Sequence, residues 1–229
     1  MGNSDLIAAI RARLTASADP VRAAGAQAYL KSAMPQLGVR VPEVRRIVKA
    51  EVAAAPFASG DELRSAVLEL FRAATYREER YAAIDLTASK LVRTDLAMLP
   101  VYEEIIRTGA WWDLVDGVED RLGRLLQTHR DVLTPVLLRW STDQDFWIRR
   151  ASITVQLSAR KDTDVALLSQ VIEANLADRE FFIRKAIGWA LREYGKTDPA
   201  WVRQFVAARE AALSPLSRRE ALRNLPAED

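Results

Sequence analysis

Apolar residues are spread along the chain without the period-2 runs of Val, Ile and Thr that mark half-buried strands. Ala stands at 37 positions, so propensity and pattern together predict helices nearly throughout. Turn chemistry interrupts the pattern at Ser17 to Pro20, Met34 to Pro42, Ala55 to Asp61, Thr94-Asp95, Thr128 to Asp131, Ser141 to Asp143, Lys161 to Asp164, Lys196 to Pro199 and Leu213 to Pro215. Several of these breaks place Ser, Thr or Asp where a helix N-cap belongs. The intervals between them, roughly 12 to 20 residues, suit helices stacked as antiparallel pairs.

An internal repeat sharpens this. Phe146-Trp147-Ile148-Arg149-Arg150-Ala151 aligns with Phe181-Phe182-Ile183-Arg184-Lys185-Ala186 at an offset of 35 residues, and Trp112 stands 35 residues before Trp147. The spacing belongs to helical-pair repeats, and the tetratricopeptide pattern does not fit, which leaves a HEAT-like unit. The expectation is an all-α, HEAT-like helical-repeat solenoid, an α-α superhelix with a concave binding face, forming one domain over residues 1–229.

Composition narrows the chemistry. The 229 residues include no Cys and one His, His129, which excludes disulfides, thiolate metal sites and His-rich zinc sites. His129, in Gln127-Thr128-His129-Arg130-Asp131, reads as a surface loop residue. None of the six lysines sits in an apolar pocket signature suited to a Schiff base. The phosphate-cradling glycine motifs and the metalloprotease helix motif are missing, so no metal, nucleotide or other cofactor is expected. Net charge is only +2, but residues 1–120 hold 15 basic and 17 acidic residues while 121–229 hold 18 and 14. Arg supplies 27 of the 33 basic residues and favours an anionic partner, although an Arg-rich proteome gives the same count. With no secretory signal and no long apolar run, a cytoplasmic protein without a membrane partner is expected.

The most unusual segment is Trp111-Trp112-Asp113-Leu114-Val115-Asp116. On a helix Trp112 and Asp116 share a face at i and i+4, and an indole beside a carboxylate suits a cation. Asp113, about 300° round the helix from Asp116, is expected to matter less. The alternative is packing: both indoles fill the core while the acids cap a helix start. In Ala186-Ile187-Gly188-Trp189-Ala190-Leu191-Arg192-Glu193-Tyr194, a mid-helix Gly188 costs roughly 1 kcal/mol relative to Ala and signals close approach of another group. Trp189 then stands over a ligand or packs on a neighbouring helix. Arg150, Lys185 and Arg192 fall on comparable helices of successive repeats, as a stripe binding a nucleic-acid backbone requires.

From these segments the chain resembles the AlkD family of DNA alkylation repair glycosylases. The likeness runs through Ala28-Tyr29-Leu30-Lys31, Leu37-Gly38-Val39 with Pro42-Glu43, the WWDxVD core, Phe146-Trp147 with Arg150-Ala151, Phe181 to Trp189, Leu191 to Tyr194, and Pro215 to Ala221. The resemblance implies an all-helical fold that binds duplex DNA and hydrolyses the N-glycosidic bond of alkylated purines. It implies Trp112, Asp116 and Trp189 as the catalytic trio around the lesion's sugar. Arg150 and Arg192 fall on backbone-contacting positions, and Lys185 and Tyr29 join them as expected DNA contacts. It further implies a monomer that grips backbone and sugar and leaves the base stacked. Ala110 stands where some relatives carry a polar residue. The competing reading is a catalytically silent HEAT-type scaffold that binds DNA or protein on its concave face. A carboxylate in a phosphate-binding cleft argues against it, since repulsion there costs affinity.

Overall fold

The turn signals fall where helices begin. In the computed structural model, which describes residues 3–225, Asp19 accepts from the Arg22 N–H at 3.0 Å and Ser59 from that of Glu62 at 3.2 Å. Asp145, Asp164, Asp198 and Ser214 do the same for the N–H groups of Trp147, Leu167, Trp201 and Ser217 at 2.9 to 3.0 Å. Each such cap contributes about 1 kcal/mol. Pro20, Pro199 and Pro215 follow directly at the first helical position, where a missing N–H costs nothing. The described residues are helical with no strand, as the composition predicts. Residues 1, 2 and 226–229, included in the expected domain, lie outside them.

Two compact units divide the chain, Met1–Val101 and Tyr102–Asp229. The first holds α1 (Asn3–Ala16), α2 (Pro20–Leu30), α3 (Val41–Ala54), α4 (Gly60–Arg72) and α5 (Arg77–Leu86). Its core is the apolar stripe of α1, α3, α4 and α5, with Ile10, Leu14, Val44, Ile47, Leu63, Leu70, Phe71 and Ala82 buried. Glu78, only 1% exposed, accepts the backbone N–H groups of Leu37, Gly38 and Val39 at 2.9, 2.7 and 3.2 Å and fixes the α2–α3 connection. Gly38 is required there: its φ is +79°, and a Cβ would meet the Asp19 carbonyl and lie 2.6 Å from the Ala23 nitrogen.

The division falls inside α6 (Leu99–Gly109). The second unit continues with α7 (Trp112–Val115), a 3₁₀ turn at Asp116–Val118, α8 (Glu119–Thr128), α9 (Arg130–Trp140), α10 (Phe146–Thr154), α11 (Val165–Glu173), α12 (Phe181–Tyr194), α13 (Pro199–Ala208) and α14 (Pro215–Leu222). The 35-residue period reappears here as the spacing of side-chain ties. Arg107 bonds Asp143 across 36 positions, Arg150 bonds Asp116 across 34, Asn175 donates to the Ser141 carbonyl across 34, and Ser217 donates to that of Arg184 across 33. Trp147 and Phe182, 35 apart, bring their rings to 4.9 Å. Trp111 joins this cluster, at 6.0 Å from Trp147 and 5.6 Å from Phe182, as do Phe146 and Phe181.

Candidate functional site

A strained residue introduces the site. Ala110 follows α6 with φ +43°, the left-handed position that commonly ends a helix on Gly or Asn, and Gly109 stands one place too early to relieve it. Trp111 then caps α7 without a side-chain bond, and the Asp116 N–H donates to the Trp112 carbonyl, which realises the expected i, i+4 relation. Trp112 and Asp116 are both partly exposed.

The Asp116 carboxylate faces a guanidinium fork. Arg150, on α10, donates Nε to Oδ1 at 2.9 Å and Nη2 to Oδ2 at 2.8 Å, while its Nη1 donates to the Phe182 carbonyl at 2.8 Å. Its Cζ lies 5.9 Å from the Trp189 ring centroid, within cation–π range. One guanidinium thus joins the α7 end, the start of α12 and the Trp189 indole. The Arg150 side chain is only 6% exposed and that of Asp116 17%. The expected stripe thus includes one cation, Arg150, that is buried and already paired. A carboxylate set this deep needs a charged partner, and Arg150 is drawn inward to supply it. Burial pushes the Asp116 carboxyl above its ordinary range, the hydrogen bonds and charge of Arg150 oppose the shift, and Asp113 adds to it. Asp113 is thus the smallest of these influences on Asp116. Three residues on a helix leave it only about 60° away.

Glu119, at the start of α8, is a carboxyl the sequence reading passed over. Its Oε1 is buried without a hydrogen-bond partner, and burial, reinforced by Asp120 and Asp116, pushes it up to about 8.

Arg192 and Lys185 converge on Glu220 of α14, which sequence reasoning also missed. Lys185 Nζ lies 3.2 Å from Oε1 and Arg192 Nη1 donates to Oε2. The repeat spacing could have found the contact, because Lys185 and Glu220 are 35 residues apart. Burial raises the Glu220 carboxyl, but the bonds and charges of the two cations outweigh it and hold the group below its ordinary range. Gly188 admits α14 to α12: a Cβ there would lie 2.5 Å from Glu220 Cβ and 3.0 Å from the Ser217 carbonyl. The close approach signalled by this glycine is a helix, not a ligand.

The sequence also singled out Tyr29 and His129. Tyr29 lies on α2 of the first unit and is 75% exposed. His129 is the single residue joining α8 to α9 and is partly buried. Among the described residues no group of three or more potential metal ligands forms, and no helix is long and apolar enough to cross a membrane.

Fold and site define a helical-repeat protein that sets a carboxylate, a guanidinium and an indole in contact, with further cations on the adjoining helix. The chain belongs to the DNA alkylation repair enzyme family, whose model matches residues 10–225, and its role is DNA repair. A protein of Enterococcus faecalis, described as a predicted DNA alkylation repair enzyme, has a solved structure 30% identical to this chain; it matches with a TM-score of 0.82 over 93% of this chain and 98% of its own. The structure of smu.31 from Streptococcus mutans UA159 shares the fold at 15% identity, with a TM-score of 0.60 over 81% of this chain and 99% of its own. Among curated proteins none matches this chain.

Proposed function

We propose that this chain is a hydrolytic DNA glycosylase that releases cationic alkylated purines, N3-methyladenine and N7-methylguanine in type, from duplex DNA. The observation that carries the reading is the Asp116 carboxylate, fixed by Nε and Nη2 of Arg150 and flanked by Trp112 one turn before it and Trp189 beyond the guanidinium. Breaking the bond between base and deoxyribose leaves its electron pair on the base and develops positive charge on the sugar. A preorganised carboxylate stabilises that charge, and indole faces add to it while excluding solvent. Water, oriented by Asp116, then adds to the sugar carbon and gives up a proton to solvent, leaving an abasic site and the free neutral base.

The residues present also set the substrate class. An alkylpurine that already carries positive charge leaves as a neutral base and needs no proton from the enzyme. Uracil, hypoxanthine and ethenoadenine lack that charge, and the trio of Asp116, Trp112 and Trp189 offers no evident acid for them. Gripping backbone and sugar without flipping the base is consistent with this trio, which has no base-edge donors beyond the indoles. Arg192, Lys185 and Tyr29 would contact the backbone. Arg150 would act chiefly by positioning Asp116.

The test is a panel of duplexes bearing cationic or neutral lesions, scored for free base, with borohydride added to trap any covalent intermediate. Release restricted to cationic purines, without a trapped adduct, is expected. Efficient uracil release would overturn the leaving-group argument, and a trapped adduct the hydrolytic one. A chain that binds DNA and frees no base would be the silent scaffold instead.

A further inference from the structure

We propose that Glu220 sets the affinity of the DNA-binding surface by acting as a fixed counter-charge to Lys185 and Arg192, so that the pair offers duplex phosphates one positive charge instead of two. The inference rests on the DNA-binding part of the function proposed above.

Lys185 and Arg192 are seven residues apart on α12, two turns, so they share a face about 10.5 Å from end to end. Gly188 lies between them, three residues after one and four before the other. Its missing side chain is the seat of Glu220, whose Cβ occupies the space a Cβ on Gly188 would need. From that seat the carboxylate straddles the gap, one oxygen to each cation. The Glu220 side chain is 11% exposed, while those of Lys185 and Arg192 are 38% and 22% exposed. The acid therefore lies beneath and the cations above, where each keeps N–H groups free for a further acceptor. The same wheel puts Trp189 about 40 to 60° round from the two cations, so the triad borders the Asp116 site.

Two open cations at this place would hold any duplex, damaged or not. A carboxylate fixed under them removes one counterion equivalent of that sequence-independent grip and holds both long side chains in place. An enzyme that must leave undamaged DNA to find a rare lesion gains from the weaker hold.

The test is the salt dependence of binding to an undamaged duplex, read by fluorescence anisotropy. Glu220→Gln should bind more tightly and steepen the slope of log affinity against log salt by about one counterion equivalent, or about 3.5-fold in affinity over a fourfold change in salt. Lys185→Met should flatten the slope by about one equivalent, and combining it with Glu220→Gln should restore the wild-type slope. Circular dichroism checks the fold of each variant. A second variant keeps the charge and changes only the reach of the acid: Glu220→Asp should leave the slope close to the wild-type value. An unchanged or flatter slope in Glu220→Gln, or a slope in Glu220→Asp as steep as that of Glu220→Gln, overturns the proposal. Base release by the wild-type protein tests the glycosylase reading separately: a chain that shows these slopes and frees no base keeps this inference and loses that one.

Discussion

Replacing Glu119 with Gln is expected to stabilise the protein by an amount that grows with pH. The Glu119 carboxyl is pushed from 4.5 to about 8 by burial, with Asp120 and Asp116 adding to the shift, and only the Ser158 N–H and Arg121 favour its charged form. Over that interval the folded chain keeps a proton that the unfolded chain has released. The stability this group contributes is therefore complete below 4.5 and is lost as pH rises through about 8. At about 1.36 kcal/mol per pH unit, the interval from 4.5 to about 8 sets a ceiling of about 5 kcal/mol. Partial exposure of the residue brings the expected effect to about 3 kcal/mol. Gln keeps the shape and an acceptor for the Ser158 N–H without any charge to bury. Glu119→Gln should then nearly match the wild type at about pH 5 and exceed it above about pH 8, raising Tm by roughly 6 to 12 °C. Thermal and urea unfolding at the two pH values, followed by circular dichroism, measure this directly. An equal change at both pH values would show that Glu119 is already ionised in the folded protein and would refute the reasoning.

Asp116→Asn should slow single-turnover base release by a factor on the order of 10² or more while DNA binding holds or tightens slightly; near-wild-type rates in the folded variant would exclude Asp116 from the chemistry. Arg150→Lys keeps the charge but cannot make both bonds to Asp116, so release should fall on the order of tenfold or more with a smaller effect on affinity; equal losses in the two measurements would assign Arg150 to DNA binding instead. Ala110→Gly should raise stability by about 1 kcal/mol by removing left-handed strain, and a lower urea midpoint would contradict that account.

Helix starts were legible because a cap is a local event. Asp19, Ser59, Asp164, Asp198 and Ser214 each bond an N–H three residues on, and a sequence window that short contains both partners; the break expected at Ser141 to Asp143 falls two residues short of the cap at Asp145. The conformation at Ala110 was not legible, because alanine is a helix former and nothing in its type marks a left-handed position. Ion pairing was legible only in principle. Arg150 reads as one more surface cation until the helix carrying Asp116 is set beside it, and the crossing of α7, α10 and α12 decides that, not the propensity of any of them. Yet the 35-residue repeat already held the information: positions about one period apart meet, as Asp116 with Arg150 and Lys185 with Glu220 do. Reading the repeat for its neighbours, and not only its likenesses, would have joined both pairs. Gly188 shows the converse, since its close approach was foreseen and the approaching group was not.

The way Arg150 is anchored has a mechanical consequence. Its side chain works as a short strut between three separately folded pieces of backbone: its own helix, the turn bearing Asp116 and the first turn of α12 at Phe182. A strut with three pinned ends has no slack. If warming slides α10 against α12 by an ångström or so, the whole displacement is delivered to the Asp116 carboxylate, and hydrogen-bond geometry weakens steeply over such distances. Orientation at the site then fails while the helices themselves remain intact, so catalysis should fade several degrees before the far-ultraviolet signal does.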